Sequence, residues 1–482
     1  MTCNMLTKTL RLAAATTFLL AVGVLFSAEL VEPGPESARM RALEEALDRG
    51  VPGAERAFWD EVGARGAPLV ETIEGRPGYA RVTFLWKGVS TETRSVRLMS
   101  GPQILSHFKR LDFVRLPRSD VWYLTLDVPT GWRVGYVLAE NADPNGFPNT
   151  VRSDPLNPRH SEQDPLAPVP VTQLYSIFET PGAPPEPWFR RHEGLPAGTV
   201  EIHKVRSQVL GSERTIEVYV PHGLGSFAGP MGSLYLFDGE EYLRDMRIAD
   251  VLDNLIGERR IGPLIALMIH DLPGDARDRE LSCDLNFTEF LATELVPWVR
   301  SNFRVSEDPR LTVVGGVSLG GLEAAFAACK HPELFGAVLA QSGSFWWRPS
   351  PTSSANVEPW MGEQYTQGPR LPVRFFLSVG RDEIAPSGAN VLCDIRQMRD
   401  ALIGHGYDVK YEEIEGQHDP INWRLTLPDG LIALDPVPKL QRRPAQPPPE
   451  AMRAGLPLIN LVYERAATIA GSAPSVPRNS SR

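Results

Sequence analysis

Between residues 79 and 140 apolar and polar residues alternate in short runs divided by turn residues, which predicts strands over 80–86, 95–99, 113–116, 121–127 and 133–138. Strands this short, each followed by a turn signal, predict a small antiparallel β-sandwich within residues 29–165. Ahead of them Met40, Leu43 and Leu47 recur at helical spacing. They predict a helix over 36–62, with Arg56 to Trp59 in a second half after the Val51-Pro-Gly break. Proline and turn residues then crowd residues 141–198, as in Ser153-Asp-Pro-Leu-Asn-Pro158 and Pro181-Gly-Ala-Pro-Pro-Glu-Pro187. This composition predicts an extended connection, with a linker over 166–198.

From residue 199 the period changes. Strands are predicted over 200–209, 214–220, 233–237, 265–269, 311–314, 336–340, 373–379 and 409–414. Helices are predicted between them over 287–303, 322–329 and 388–404, with a last helical piece near 425–434. Such alternation implies a doubly wound, mostly parallel α/β sheet over 199–434, the arrangement of α/β-hydrolases. Residues 435–482 are rich in proline and serine around a short helical stretch, 451–467, and read as a peripheral tail.

The chemistry centres on Gly316-Val-Ser318-Leu-Gly320, which joins the strand 311–314 to the helix 322–329. In a strand–turn–helix context G-x-S-x-G is a nucleophile elbow. The turn is too tight for bulk two residues either side of the serine, and the N–H of Leu319 is left free for an oxyanion. A serine needs a base, and the base needs an orienting acid. Three histidines follow Ser318: His331, His405 and His418. His331 lies in a Lys-His-Pro turn and His405 at a helix end. His418 follows strand 409–414, at the carboxyl end of the sheet where a general base belongs. The loop after strand 373–379, Gly380-Arg-Asp-Glu-Ile384, offers Asp382 and Glu383 as the acid, and spacing alone does not separate them. A second oxyanion donor is expected after strand 233–237, from the N–H of Gly239 or Glu240, although an ordinary Asp-Gly turn would look the same.

Gly316-Val-Ser-Leu-Gly-Gly-Leu322 with Leu339-Ala-Gln-Ser-Gly-Ser-Phe-Trp-Trp347 resembles the enterochelin (enterobactin) esterase family, within the esterase D-like hydrolases. The likeness extends to Phe237-Asp-Gly-Glu240, Arg277-Asp-Arg-Glu-Leu-Ser-Cys283, Gly416-Gln-His-Asp419 and Asn422-Trp-Arg424. It reaches the other half through Val82-Thr-Phe-Leu-Trp86, Asp120-Val-Trp122 and Asp154-Pro-Leu-Asn-Pro158. The resemblance implies hydrolysis of the trilactone of catecholate siderophores, ferric or iron-free, with iron as cargo and no protein cofactor or metal ligand set. It also implies roles: Ser318 as nucleophile, His418 as base, and Glu383 rather than Asp382 as acid. Arg277 falls at a family arginine expected to face anionic catecholates, the alternative being a solvated side chain in a charged run. Trp346 and Trp347 are expected either to wall the pocket against aromatic rings or to be core.

Composition narrows the partners. Hydrophobic residues make up 42% and charged residues 22%, the balance of a soluble globular protein. A formal charge of -10 offers no basic field for nucleic acid, so an anionic ligand must be met by local arginines. Lys8 and Arg11 precede an uncharged apolar run over 12–28, the layout of a secretory signal peptide cut near Ala28. Phe26 departs from the usual cleavage pattern, so an uncleaved anchor is the second reading. Either way a periplasmic protein is expected, with no membrane contact beyond the export segment. Past Cys3 only Cys283, Cys329 and Cys393 remain, an odd set without metal spacing. The competing functions are an exported feruloyl or acetyl esterase whose sandwich binds sugar, with Trp86, Trp122 and Trp132 forming an exposed row or else lying in the core, and a non-catalytic siderophore-binding protein. Oligomeric state is open at this level.

Overall fold

The computed structural model describes residues 37–89, 92–99, 111–141, 151–161, 175–223, 229–272, 274–349, 359–383 and 390–435. The expected export segment 1–28 and tail helix 451–467 lie outside the described residues.

Two helices come first, α1 (Ala38–Asp48) and α2 (Ala54–Arg65). They part at Gly53, whose φ of 76° suits glycine. One antiparallel sheet, in the order β1-β2-β5-β4, contains β1 (Leu69–Thr72), β2 (Tyr79–Lys87), β4 (Val114–Arg115) and β5 (Val121–Pro129). A second, in the order β3-β6-β7, contains β3 (Val96–Met99), β6 (Arg133–Glu140) and β7 (Ser176–Glu179). Val82, Phe84, Leu124 and Leu126 of the first sheet pack on Val134, Tyr136, Leu138 and Phe178 of the second. The opposite face of the first sheet, through Leu85 and Val121, is covered by Met40, Leu43, Phe58 and Val62 of the two helices. The expected sandwich is present, but the proline-rich stretch is not all connection. β7 pairs with β6, and Asp154, Asn157 and Ser176 are buried beside it. Tyr136 donates to Asp154 at 2.7 Å, and Asn157 donates to the Ile177 carbonyl at 2.9 Å. Side chains far apart in the chain satisfy this segment's polar groups, which no local pattern announces.

The second layer system is an eight-stranded sheet. Its strands in chain order are β8 (Thr199–Arg206), β9 (Glu213–Val220), β10 (Gly232–Leu236), β11 (Leu264–Ile269), β12 (Thr312–Val317), β13 (Ala337–Gln341), β14 (Arg374–Gly380) and β15 (Asp408–Ile414). Across the sheet they run β15-β14-β13-β12-β10-β11-β9-β8, with β9 antiparallel to both its neighbours, β11 and β8, and the other pairs parallel. Successive residues of the central strands point to opposite faces. Tyr235, Val314 and Val338 therefore join one core with α6 (Leu285–Phe290), α7 (Val296–Asn302), α8 (Leu319–Lys330), α9 (Trp360–Thr366) and α10 (Val391–Gly404). Leu234, Val313 and Leu339 join the other with α3 (Gly239–Arg244), α4 (Ile248–Gly257) and α11 (Pro420–Ala433). A short α5 (Ala276–Glu280) follows β11.

Several elements differ from those predicted. The helix expected over 287–303 is interrupted by a π-turn at Leu291–Leu295, just ahead of Pro297, which has no N–H to continue the ladder. Helix α4 was not anticipated. Its polar residues Asp250, Asp253 and Asn254 fall at helical spacing, and folding buries that face as well, where Asp253 accepts from Tyr219 and the Gly198 N–H and Asn254 donates to the Trp188 carbonyl. Helix α11 starts at Pro420 rather than near 425, because Asp419 caps it by accepting from the N–H of Ile421 at 2.7 Å.

Candidate active site

Ser318 sits between β12 and α8 with φ 55° and ψ -120°, a conformation that a non-glycine residue holds only under strain. The neighbouring glycines are required by close approach. A Cβ on Gly316 would lie 2.5 Å from the Gly320 carbonyl carbon, and one on Gly320 would lie 2.9 Å from Asp238 Oδ2. Leu319 is the first residue of α8, so its N–H has no intrahelical acceptor.

The Asp-Gly turn after β10 lies beside this elbow, because β10 pairs in parallel with β12 and Phe237 donates to the Gly315 carbonyl at 3.0 Å. Gly239 opens α3 and Glu240 follows it, so both present unpaired N–H groups at that helix start. Gly239 is pressed on β11, where an added Cβ would come 2.4 Å from the Met268 carbonyl carbon.

His418 Nδ1 lies 2.9 Å from Glu383 Oε2. Glu383 is 2% exposed, and its other oxygen accepts from Ser342 Oγ and the Gly380 N–H, both at 2.6 Å. Ser342 Oγ in turn accepts from Trp423 Nε1 at 2.8 Å. The Trp423 ring meets the His418 ring edge-on at 4.9 Å. Asp382 takes a different partner: its Oδ2 accepts from Trp132 Nε1 of the sandwich at 3.1 Å. Of the two acids that spacing left open, Glu383 is the one that touches His418. The other two histidines stand elsewhere, His331 beside Glu333 and His405 at the end of α10 against the Gly368 carbonyl.

Ser318 and His418 line one cavity of about 430 Å³, together with Asp238, Glu240 and Trp423. The sandwich contributes Gly135 and Tyr175 to the same wall. Ser318 Oγ lies 3.3 Å from Ser344 Oγ. Contacts between a nucleophile and its base commonly tighten only when substrate binds.

Arg277 lines the cavity, but its Nε and Nη2 both bond Asp238, Nη2 at 3.0 Å. Its side chain is 30% exposed, so it meets the cavity as one half of an ion pair with Asp238 rather than as a bare cation. Trp346 and Trp347 do not line this cavity. They pack partly buried on the core, with Trp347 edge-on to Trp360 at 5.6 Å. Trp86 and Trp132 are 3% and 2% exposed inside the sandwich, so the expected trio cannot form an exposed sugar-binding row. Cys283, Cys329 and Cys393 are unbridged. No His/Cys/Asp/Glu group suited to a metal ion occurs among the described residues.

Sequence reasoning missed Ser342, Trp423 and the sandwich's share of the cavity. Ser342 and Trp423 lay inside runs that carry the family resemblance, but nothing in their spacing assigned them to Glu383.

Comparison with known proteins follows the same two halves. Residues 207–434 match the Esterase family model, and residues 81–189 match the model of the enterochelin esterase N-terminal domain. An iron(III) enterobactin esterase of Dickeya dadantii is 28% identical over 418 residues, 78% of this chain and 92% of that protein. An iron(III) salmochelin esterase of Escherichia coli O6:H1 is 28% identical over 394 residues, with the same 78% and 92% covered. The crystal structure of a ferric enterobactin esterase from Salmonella typhimurium superimposes with a TM-score of 0.65 at 25% identity, over 79% of this chain and 98% of that one.

Proposed function

The chain belongs to the enterochelin esterase family in both of its halves, and from that premise we propose that it is a serine esterase opening the trilactone of catecholate siderophores. The observation that carries this reading is the Glu383–His418 pair at 2.9 Å facing the same cavity as the strained Ser318.

Glu383 holds His418 by Nδ1–H, which leaves Nε2 as the acceptor. Ser318 Oγ attacks an ester carbonyl as His418 takes its proton. The oxyanion that forms is met by the N–H of Leu319 and by that of Gly239 or Glu240. Collapse breaks the C–O bond to the serine side chain of the lactone, and His418 returns the proton to that leaving oxygen. Water, activated by the same base, then releases the acid and restores Ser318. The apolar run at 12–28 supports export, so the reaction is assigned to the periplasm.

The test mixes purified protein with enterobactin and analyses the products beside Ser318→Ala. Linear trimer, dimer or monomer from the wild type alone is the expected result. Hydrolysis of a feruloyl or acetyl ester with the trilactone untouched would move the protein to the carbohydrate esterases. Binding without turnover would make it a carrier. Fractionation of the producing cell, with N-terminal sequencing of the mature chain, checks the location.

A further inference from the structure

A second cavity, of about 540 Å³, lies at the seam between the sandwich and the hydrolase layers. No residue lines both it and the cavity that holds Ser318. Helix α11 serves both: Trp423 lines the first, and the next residue, Arg424, lines the second. Among the described residues this second cavity is basic, in a chain whose formal charge is -10. Arg159, Arg190, Arg191 and Arg424 line it, against the carboxyl groups of Glu179 and Glu186. A fifth guanidinium group, that of Arg133, reaches both carboxylates, Glu179 at 2.6 Å and Glu186 at 3.4 Å. Glu186 also accepts from Nε and Nη2 of Arg424, and Glu179 accepts from Arg159. Three guanidinium groups thus share two carboxylates before Arg190 and Arg191 are added.

The fold holds this arrangement in place. Asn254 of α4 is fully buried; it accepts from the His192 N–H at 2.7 Å and donates to the Trp188 and Arg190 carbonyls at 2.9 and 2.7 Å. One amide therefore fixes the loop that carries Arg190 and Arg191. The side chains of Arg424 and Arg133 are only 4% and 7% exposed, and each has a buried Nη1 without an acceptor among the described residues. Incompletely paired buried cations are costly, and an anion with further oxygens offsets that cost. Burial works against ionisation of Glu179, yet Arg133 and Arg159 hold its carboxyl below the usual range, as an excess of positive charge requires. Guanidinium forks match the paired oxygens of phosphate and carboxylate groups. We propose that this seam cavity binds a small oxyanion, the phosphate or carboxylate group of a small molecule, at a site separate from the one that holds Ser318. Arg159 comes from the sandwich and Arg424 from the hydrolase half, so the bound anion also ties the two together.

The experiment titrates the purified protein with inorganic phosphate and with benzoate in a calorimeter, at ionic strength matched with sodium chloride. Saturable binding of one or both, with a raised thermal unfolding midpoint, is the expected result. Tighter phosphate would assign a phosphorylated ligand, and tighter benzoate an aryl carboxylate. Arg159 has a side chain 60% exposed, so Arg159→Gln removes one charge with little risk to folding. It should weaken binding roughly tenfold. Arg424→Lys keeps the charge but loses the fork, and should weaken binding by a similar factor. Arg310→Gln, at a side chain 78% exposed and paired with Asp308, serves as the control and should bind as the wild type does. A saturable signal unchanged in the folded Arg159 and Arg424 variants would place the anion elsewhere and overturn the assignment. So would the absence of saturable heat beyond the sodium chloride control. Neither readout uses turnover, so both outcomes leave the esterase reading untouched.

Discussion

Trp132 Nε1 donates to Asp382 Oδ2 at 3.1 Å, which fastens the sandwich to the residue next to Glu383. A second bond does the same for the base: the Gly135 N–H donates to Asp419 Oδ2 at 3.1 Å, one residue after His418. The N-terminal half therefore holds both loops that bring Glu383 and His418 together. Trp132→Phe keeps most of the buried ring and removes the donor. It should lower kcat roughly threefold to tenfold, leave KM nearly unchanged, and cost about 1 kcal/mol of stability. An unchanged kcat in a folded variant would show that the loops hold their geometry without this bond.

Glu383→Gln and Asp382→Asn separate the two acids. The first should reduce kcat by about two to four orders of magnitude, because the imidazole loses the charge that orients it and stabilises its protonated form. The second should stay within roughly tenfold of the wild type, since the Asp382 carboxylate accepts from Trp132 and it is Glu383 that holds His418. The reverse order of losses would transfer the acid's role to Asp382.

Gly239→Ala places a Cβ 2.4 Å from the backbone of Met268, in the middle of a buried layer. Backbone cannot retreat as a flexible side chain can, so a loss of roughly 2–4 kcal/mol is expected, with activity falling alongside it. A thermal unfolding midpoint equal to the wild type's would show that α3 shifts freely against β11.

Burial pushes the Asp419 carboxyl from 3.8 up to about 6, although the N–H groups of Ile421 and Gly135 oppose the rise. Across that window the native chain keeps a proton that the unfolded chain has released. This group's contribution is therefore full below pH ~4, falls as pH rises, and levels off above pH ~6. The total change is on the order of 2–3 kcal/mol. Asp419→Asn should lack this component, so urea unfolding of both proteins at pH 4, 5, 6 and 7 should show their difference changing across the window. A difference independent of pH would place the Asp419 pKa near its ordinary value.

Much of the site was legible before any coordinates. Glycines at 316 and 320 announce a turn that no side chain can enter, and the strand and helix flanking them have clear periods. His418 stood out by its place after a strand. Strand β7 was not legible, because it sits in proline-rich sequence whose partners are distant, whereas the buried α4 carries Asp250, Asp253 and Asn254 at a helical spacing that could have marked it. Arg277 shows the limit on charge. The family resemblance set it before anionic ligands and its charged run suggested a solvated side chain, and neither announced that Asp238, thirty-nine positions away, pairs with it.

Local constraints lie within one stretch of chain, so the sequence by itself determined the alternating layers, the serine elbow and the two loops that present an acid and a base. Which acid meets the histidine, whether a tryptophan faces ligand or core, and what charge the cavity presents depend on pairs of residues brought together by folding. Hydrogen bonds and ion pairs act over a few ångströms regardless of separation along the chain, so only the tertiary structure decided those.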